Sequence, residues 1–474
     1  MALSVSNSVI IRVYLNHQVD KLADITSLIH NLGGEVTGID VIEKEGEGLL
    51  RDITLNTSGF EHASLIKEKI DSLAGVEVRQ MLDPTFLLHE GGKIEVQSKL
   101  RITHRDQLSM AYTPGVARVC MALHQEPERA FELTIRKNMV AIVTDGTAVL
   151  GLGDIGPIAA LPVMEGKAML LKEFANVDAF PICLNTKDSE EIVRTVKCLA
   201  LNFGGINLED IAAPRCFEIE SKLKAELDIP VFHDDQHGTA IVMTAALINA
   251  LKIVNKNPCD LKVVFNGVGA AGTACTYMLL KLGVKNIIGC DRNGILSRER
   301  QDLNMSKRQY VELTNPNNET GSLYDALREA DVFVGLSSAN ILSVEDIKKM
   351  KKEPIIFAMA NPDPEIRPEL AAPHVAIMAT GRSDYPNQIN NLLAFPGVFR
   401  GALDCQATDI NSEMQMAAAY AIANVIEESE LKPNYIVPSV FNTKVVDAVA
   451  KAVIKAAHQT GVIRKTKASS CIEA

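Results

Sequence analysis

The sequence predicts an α/β protein: a parallel, helix-covered sheet in the C-terminal half, a second α/β domain before it, and a small α+β module at the N-terminus. Three observations carry this reading. Short apolar strands at 261–265, 286–290, 332–335 and 354–358 alternate with helical segments such as 272–282, the order produced when parallel strands are joined by helical crossovers. Between residues 9 and 81 a different order, strand-helix-strand-strand-helix-strand, closes on itself. Finally, 474 residues with 47% hydrophobic and 23% charged side chains give a soft prior of about three domains at roughly 150 residues each, and exclude a disordered or fibrous chain.

The elements follow in order. Val9, Ile11, Val13 and Leu15 alternate as a strand, and Leu22, Ile25, Leu28, Ile29 and Leu32 recur at helical spacing up to Gly33-Gly34. Two alternating runs, Thr37 to Ile42 and Leu49 to Leu55, flank the turn-like EKEGEG, and a helix from Glu61 to Leu73 precedes a strand from Val76 to Met81. That order is the ferredoxin-like split βαβ unit, and the segment resembles an ACT domain, a module that often pairs with itself and binds amino acids. The turn HQVDKLADI lacks the Gly that amino-acid-binding ACT domains carry there, so a packing or dimerisation module is an equal expectation.

Pro84 and Gly91-Gly92 mark a linker. The expected division is an ACT-like regulatory or dimerisation domain over 1–86, a catalytic domain over 87–237, a dinucleotide-binding domain over 238–400 and a helical segment over 401–474 with helices at 414–426 and 445–457 and a frayed tail after Ile463. The apolar stretch from Gly238 to Leu251 contains two Thr and an Asn, so it reads as a buried helix rather than a membrane span. The N-terminus has neither a basic leader nor a cleavage pattern. The nine Cys form no CxxC pair, which argues against zinc and disulfides and for a reduced cytoplasm. A net charge of -11 disfavours nucleic-acid and anionic-membrane partners, which require a positive surface.

The segment KVVFNGVGAAG sets Gly267-Val268-Gly269-Ala270-Ala271-Gly272 directly after a strand and at the start of a helix, in G-x-G-x-x-G spacing. The first Gly permits the turn, the second lets backbone approach a pyrophosphate, the third lets helix pack on strand, and the helix start offers free N-H groups. Nineteen residues past Gly272 stands Asp291, placed to accept bonds from ribose hydroxyls. This is a Rossmann-type fingerprint. Asp291 repels a 2'-phosphate and favours NAD; Arg292 beside it is the residue that pairs with that phosphate if NADP binds.

Two acidic pairs, Glu209-Asp210 and Asp234-Asp235, bracket one predicted helix and adjoin apolar runs. Unpaired carboxylates there are costly, and a shared cation explains them. Oxygen ligands without Cys suit Mg²⁺ or Mn²⁺. His233 and His237 flank the aspartates without an HExxH pattern, which points to structural hydrogen bonding. Upstream, Tyr112 precedes a Thr-Pro-Gly turn and Lys167 follows a long, nearly uncharged Gly-rich stretch, where desolvation lowers an ammonium pKa toward that of a base.

Together AYTPGVA, VTDGTAVLGLGDIG, PVMEGK, NLEDI, FHDDQHGTA, NGVGAAG, FAMANPDPE and NQINNLLAFPGVFRGALD resemble the bacterial type of malic enzyme, in chain order from about Gly91 to Ile463. The resemblance implies that Glu209, Asp210 and Asp235 hold a divalent metal, that Lys167 is the general base with Asp234 as its partner, and that Tyr112 is the general acid. It implies substrate contacts from Asn361 and Asn391 with Asn390 as a helper, nicotinamide contact from Asn361, and a cofactor-side turn from Gly151 to Gly156. Animal and plant relatives carry an Arg where this chain has Ala148, which removes one contact to the second malate carboxylate. The implied activity is oxidative decarboxylation of (S)-malate to pyruvate and CO₂ with reduction of NAD or NADP, in a homodimer or higher homo-oligomer. Alternatives are a malolactic enzyme or oxaloacetate decarboxylase on the same site, and an amino-acid sensor built on the N-terminal module.

Overall fold

The computed structural model describes residues 4–16 and 21–464. The start of the HQVDKLADI turn, residues 17–20, and the tail from Lys465 lie outside the described residues. Two compact units divide at Gln97 and Ser98.

In the first unit, strands β1 (Ser4–Asn16), β2 (Glu35–Glu45), β3 (Gly48–Thr57) and β4 (Val76–Leu82) form one sheet in the order β2-β3-β1-β4. All pairs are antiparallel, with Val9 opposite Leu55 and Ile11 opposite Ile53. Alternation along β1 turns Ile11 and Val13 onto the face covered by the helices Leu22–Asn31 and Phe60–Asp71, whose Ile25, Ile29, Ile66 and Ile70 complete the core. The strand order is that of the split βαβ unit expected from the element sequence.

The second unit holds two parallel sheets. Strands β5 (Met139–Thr144), β6 (Asp178–Cys183), β7 (Gly205–Leu208) and β8 (Val231–His233) pair in the order β6-β5-β7-β8. Strands β9 (Lys262–Asn266), β10 (Asn286–Asp291), β11 (Gly294–Ile295), β12 (Val332–Gly335), β13 (Ile355–Ala358) and β14 (Ile377–Thr380) pair in the order β11-β10-β9-β12-β13-β14, parallel except for the short β11. The runs MVAIVT, VFVG and IIFA are continuous rather than alternating because helices cover both faces of such a sheet. The chain leaves β9 for β10 on one side and returns to β12 on the other, so the switch point lies at the end of β9. Ligands of doubly wound sheets bind there.

The stretch taken for a buried helix is part of the helix Asp234–Val254, long and apolar enough to pass for a membrane span but 72% buried over its most apolar window. It begins at the second acidic pair, so Gly238 lies inside a helix rather than at a break. By contrast, the helices Arg105–Ala111 and Val116–Gln125 bury no residue, and Leu100, Leu108, Met110, Tyr112 and Met121 face outward.

Candidate active site

Lys167 projects from the helix Pro157–Ala175 into a buried setting and is 8% exposed. Its Nζ donates to Asp234 and lies 2.9 Å from Glu209 Oε1 and 4.1 Å from the centre of the Phe395 ring. Asp234 also accepts from Asn391 Nδ2 at 2.6 Å. This crowding explains Gly238: a Cβ there would overlap the Asp234 carboxylate and come within 3.0 Å of Asn391 Cβ. The glycine lets Asp234 fold back along its own helix toward Lys167.

Beside this group, single carboxylate oxygens of Glu209, Asp210 and Asp235 lie within 4.8 Å of one another. Glu209 and Asp210 leave the carboxyl end of β7, and Asp235 stands in the first turn of the helix after β8. Asp235 Oδ2 accepts the Asp210 N-H at 2.8 Å, and Asn207 Nδ2 donates to Glu209 at 2.8 Å. Asp210 Oδ2 is buried without a partner. Burial, reinforced by repulsion among the acids, pushes Glu209, Asp210 and Asp235 above the ordinary carboxylate range, with Lys167 pulling the other way. Three converging carboxylates, one with an orphaned oxygen, fit a hard divalent cation.

The structure corrects the expectation of a lowered Lys167 pKa. Burial does act in that direction, but the carboxylates of Asp234 and Glu209 outweigh it and hold the ammonium above its ordinary value. His237 makes the expected structural bond, with Nε2 2.8 Å and 2.9 Å from the Glu220 oxygens. His233 does not: it is wholly buried, neither ring nitrogen makes a hydrogen bond although Nδ1 lies 3.8 Å from Asp235 Oδ2, and burial lowers its pKa to about 4.

The glycine turn follows β9 and opens the helix Ala270–Leu282. A Cβ on Gly272 would overlap the Gly267 carbonyl, and one on Gly267 would sit 2.7 Å from Leu336 O, whereas one on Gly269 meets nothing within 4 Å. The middle glycine therefore borders open space, a cleft of about 950 Å³ lined by Gly267, Val268, Gly269, Asp291, Arg292 and Ser337 among others. A cradle that two of its three glycines keep closed and the third leaves open fits a pyrophosphate.

Asp291 reaches the cleft as expected, but in company that was not. Arg300 clamps it at 2.8 Å and 3.2 Å, Lys307 at 2.5 Å, and the Asn293 N-H at 2.9 Å. Burial would raise its pKa, yet these donors hold it below the ordinary value. Arg300 and Lys307 lie 9 and 16 residues downstream, where no motif marks them. Arg292 also lines the cleft.

Asn391 joins the Lys167 group, whereas Asn390 caps the turn that follows, accepting from Leu392 N-H at 2.9 Å. Asn361 is exposed at the carboxyl end of β13, and its carbonyl lies 2.8 Å from where a Cβ on Gly151 would stand, so the GLGDIG turn packs on it. Tyr112, 69% exposed on the uncovered arm, is not brought into the Lys167 group by any described contact. Ala148, also exposed, donates its N-H to the Asp210 carbonyl at 2.9 Å.

A glycine turn at a switch point, opening on a cleft that runs to Ala213 and Phe217 a few residues beyond the clustered acids, is the arrangement of an α/β enzyme of the nucleotide-binding class. Comparison with known proteins makes the class specific. Residues 91–224 match the malic enzyme N-terminal domain and residues 236–458 the malic enzyme NAD binding domain, and the chain belongs to the malic enzyme family. It is 59% identical over 458 residues to a NAD-dependent malic enzyme of Geobacillus stearothermophilus, covering 97% of this chain and 96% of that one. It is 55% identical over 377 residues to a bifunctional malic/malolactic enzyme of Bacillus subtilis, covering 79% and 92%. The crystal structure of a NAD-dependent malic enzyme from Thermotoga maritima matches with a TM-score of 0.76 at 50% identity, covering 79% of this chain and 99% of that one.

Proposed function

We propose that this chain oxidatively decarboxylates (S)-malate to pyruvate and CO₂ with reduction of NAD, on the site built around Lys167. The observation that carries this is Lys167 held between Asp234 and Glu209, with Glu209 shared by the three-acid cluster. Glu209, Asp210 and Asp235 would hold the cation, and the turn Gly267 to Gly272 with Asp291 would hold the dinucleotide. When bound, the divalent cation would supply Lewis acidity to the substrate oxygens, and the nicotinamide would supply the hydride acceptor. Lys167, as the free amine, would take the C2 hydroxyl proton with Asp234 fixing its position; the ammonium held by Asp234 and Glu209 must first lose its own proton. Asn391 holds Asp234 on its other side, and Asn361 meets substrate and nicotinamide, with Asn390 capping the turn that carries Asn391. Once CO₂ has left, Tyr112 would return a proton to C3 from its phenol O-H.

NAD is supported by the name of the Geobacillus relative; NADP-dependent relatives exist at 45% identity, including that of Escherichia coli. The bifunctional Bacillus relative supports malolactic turnover as a second reading. The expected four-part division at 1–86, 87–237, 238–400 and 401–474 stays a proposal, with its first two boundaries moved to the break at Gln97 and Ser98 and to the start of the helix Asp234–Val254. The strand order of the first unit supports an ACT-like module, and the apolar outward face of the arm carrying Leu108, Met110 and Tyr112 supports a homodimer or higher assembly that covers it. The free thiols of the eight cysteines among the described residues support the cytoplasm. Malate, Mn²⁺ and NAD or NADP, followed at the reduced-nicotinamide absorbance with CO₂ and lactate measured in parallel, tests the reading. Free NADH with equimolar CO₂ is expected, whereas lactate and CO₂ without free NADH would replace it with malolactic turnover.

A further inference from the structure

We infer that Glu365 is a positioning residue of the dinucleotide cleft, its carboxylate tying together the loops at the carboxyl ends of β12 and β13. The inference rests on reading that cleft as the dinucleotide site. Glu365 is completely buried, and a buried carboxylate is costly unless its oxygens are engaged. Its partners are backbone groups: Oε1 accepts the Ser337 N-H at 3.4 Å and Oε2 accepts the Ala360 N-H at 3.1 Å. The glycine at the end of β12 makes room for it, since a Cβ on Gly335 would overlap the carboxylate. The backbone of the same turn is fastened as well, with Asn340 N-H on Pro364 O and Leu342 N-H on Glu365 O, both at 3.0 Å.

Both loops lead to the cofactor. Ser337 lines the cleft, its hydroxyl accepts from Asn266 at the end of β9, and its Cβ lies 3.0 Å from where a Cβ on Gly267 would stand. A shift of Ser337 therefore moves the wall against which the glycine turn is set. Ala360 precedes Asn361, the residue assigned to the nicotinamide. One carboxylate thus fixes the spacing between the wall beside the pyrophosphate turn and the residue at the nicotinamide end. Burial, opposed by the backbone N-H groups of Ala360 and Ser337, pushes the Glu365 pKa up to about 7, as expected of a carboxyl engaged by backbone alone.

Glu365→Gln keeps size and one acceptor but points an amide N-H₂ at one of the two backbone donors. We expect the NADH dissociation constant, measured by fluorescence titration, to rise about tenfold, as for loss of one bond to a charged group, with Mn²⁺ affinity by electron paramagnetic resonance unchanged. A residue that only stapled the fold would lower the melting temperature and leave the NADH constant alone. Gly335→Ala, whose methyl displaces the carboxylate, should produce the same rise, and should add nothing in a Glu365→Ala background. An unchanged NADH constant in folded Glu365→Gln, or full additivity of the second pair, overturns the inference. If neither variant folds, amide exchange in the wild-type enzyme decides: NADH should slow exchange at Ser337 and Ala360, and unaltered rates there overturn it. Failure of the wild type to bind NADH at all would strike the dinucleotide reading first, and the inference with it.

Discussion

Asp235→Asn is expected to stabilise the metal-free protein while removing most of its response to metal. The three ligand oxygens lie within 4.8 Å of one another, and unit charges at that distance repel by about 3.5 kcal/mol in an effective dielectric of about 20. The mutual repulsion of three ionised acids is therefore about 10 kcal/mol, partly offset by Lys167 beside Glu209. Protonating one carboxyl of ordinary pKa at pH 7 costs only about 4 kcal/mol, three pH units at 1.36 each. The cheaper route prevails, so the metal-free cluster holds a proton near neutrality, in keeping with the raised pKa of all three acids. Because the folded state then binds more protons than the unfolded one, stability falls as pH climbs from about 4 toward those raised values. Asparagine removes one charge and two of the three repulsions, and its oxygen can still accept the Asp210 N-H. In chelator at pH 7 the variant should gain up to about 4 kcal/mol and melt higher, with the gap closing by about pH 4. Mn²⁺ should raise the melting point of the wild type and barely move the variant. If the variant melts lower than the wild type in chelator at pH 7, and Mn²⁺ still raises both equally, the electrostatic account of the cluster is wrong.

Asp291→Ala frees Arg300 and Lys307 as well as removing the ribose acceptor, so kcat/KM for NADP relative to NAD should rise about tenfold or more; an unchanged ratio assigns cofactor choice to other residues. Glu220, buried but held down at about 2 by His237 and Lys224, contributes stability that is present above its ordinary pKa and lost as pH falls toward 2. Glu220→Gln should therefore cost about 3 kcal/mol at pH 7 and flatten the acid limb of a stability-pH curve; equal stability of the two proteins at pH 7 refutes this. Tyr112→Phe should lose exchange of pyruvate methyl protons with D₂O while NAD and Mn²⁺ still bind. Lys167→Ala should lose malate oxidation yet retain some metal-dependent decarboxylation of added oxaloacetate; proton exchange at the wild-type rate in Tyr112→Phe would remove that phenol from the carbon acid's place.

What was legible in the sequence is what short-range pattern encodes. The glycine turn announces itself because strand, glycine spacing and helix are contiguous, and Gly267, Gly269 and Gly272 prove to be a closed hinge, an open floor and a packing contact. The acids of the cluster were found because both pairs sit at strand ends beside apolar runs. Strand β14 passed unnoticed, since Ile377 to Thr380 is four residues long and follows Pro373. Arg300, Lys307 and Glu365 were missed for a different reason: each acts on a group that folding brings near, and nothing around Arg300 or Lys307 distinguishes it from a solvated cation. Lys167 misled in sign because its Gly-rich surroundings predict desolvation, while its counter-charges come from Glu209 and Asp234, 42 and 67 residues away.

The two parallel sheets present their chemistry in the same way, and this makes one helix decisive. Thr144 and Asp145 end β5, Glu209 and Asp210 follow β7, and Asp234 follows β8; in the other sheet the glycine turn follows β9, Asp291 ends β10, Ser337 follows β12 and Asn361 follows β13. Every one of these groups stands at a carboxyl end, where the loops of an open α/β sheet leave a crevice. The helix Asp234–Val254 starts among the acids and ends a few residues before β9, burying 14 of its 21 residues between the two sheets' elements. A helix so packed has little freedom to slide, because repacking that much apolar surface costs far more than a bond at the site returns. The separation between the acid cluster and the glycine turn is therefore set by core packing rather than by surface loops. A substitution such as Ala246→Leu, in the completely buried part of that helix, would alter this spacing without touching either site.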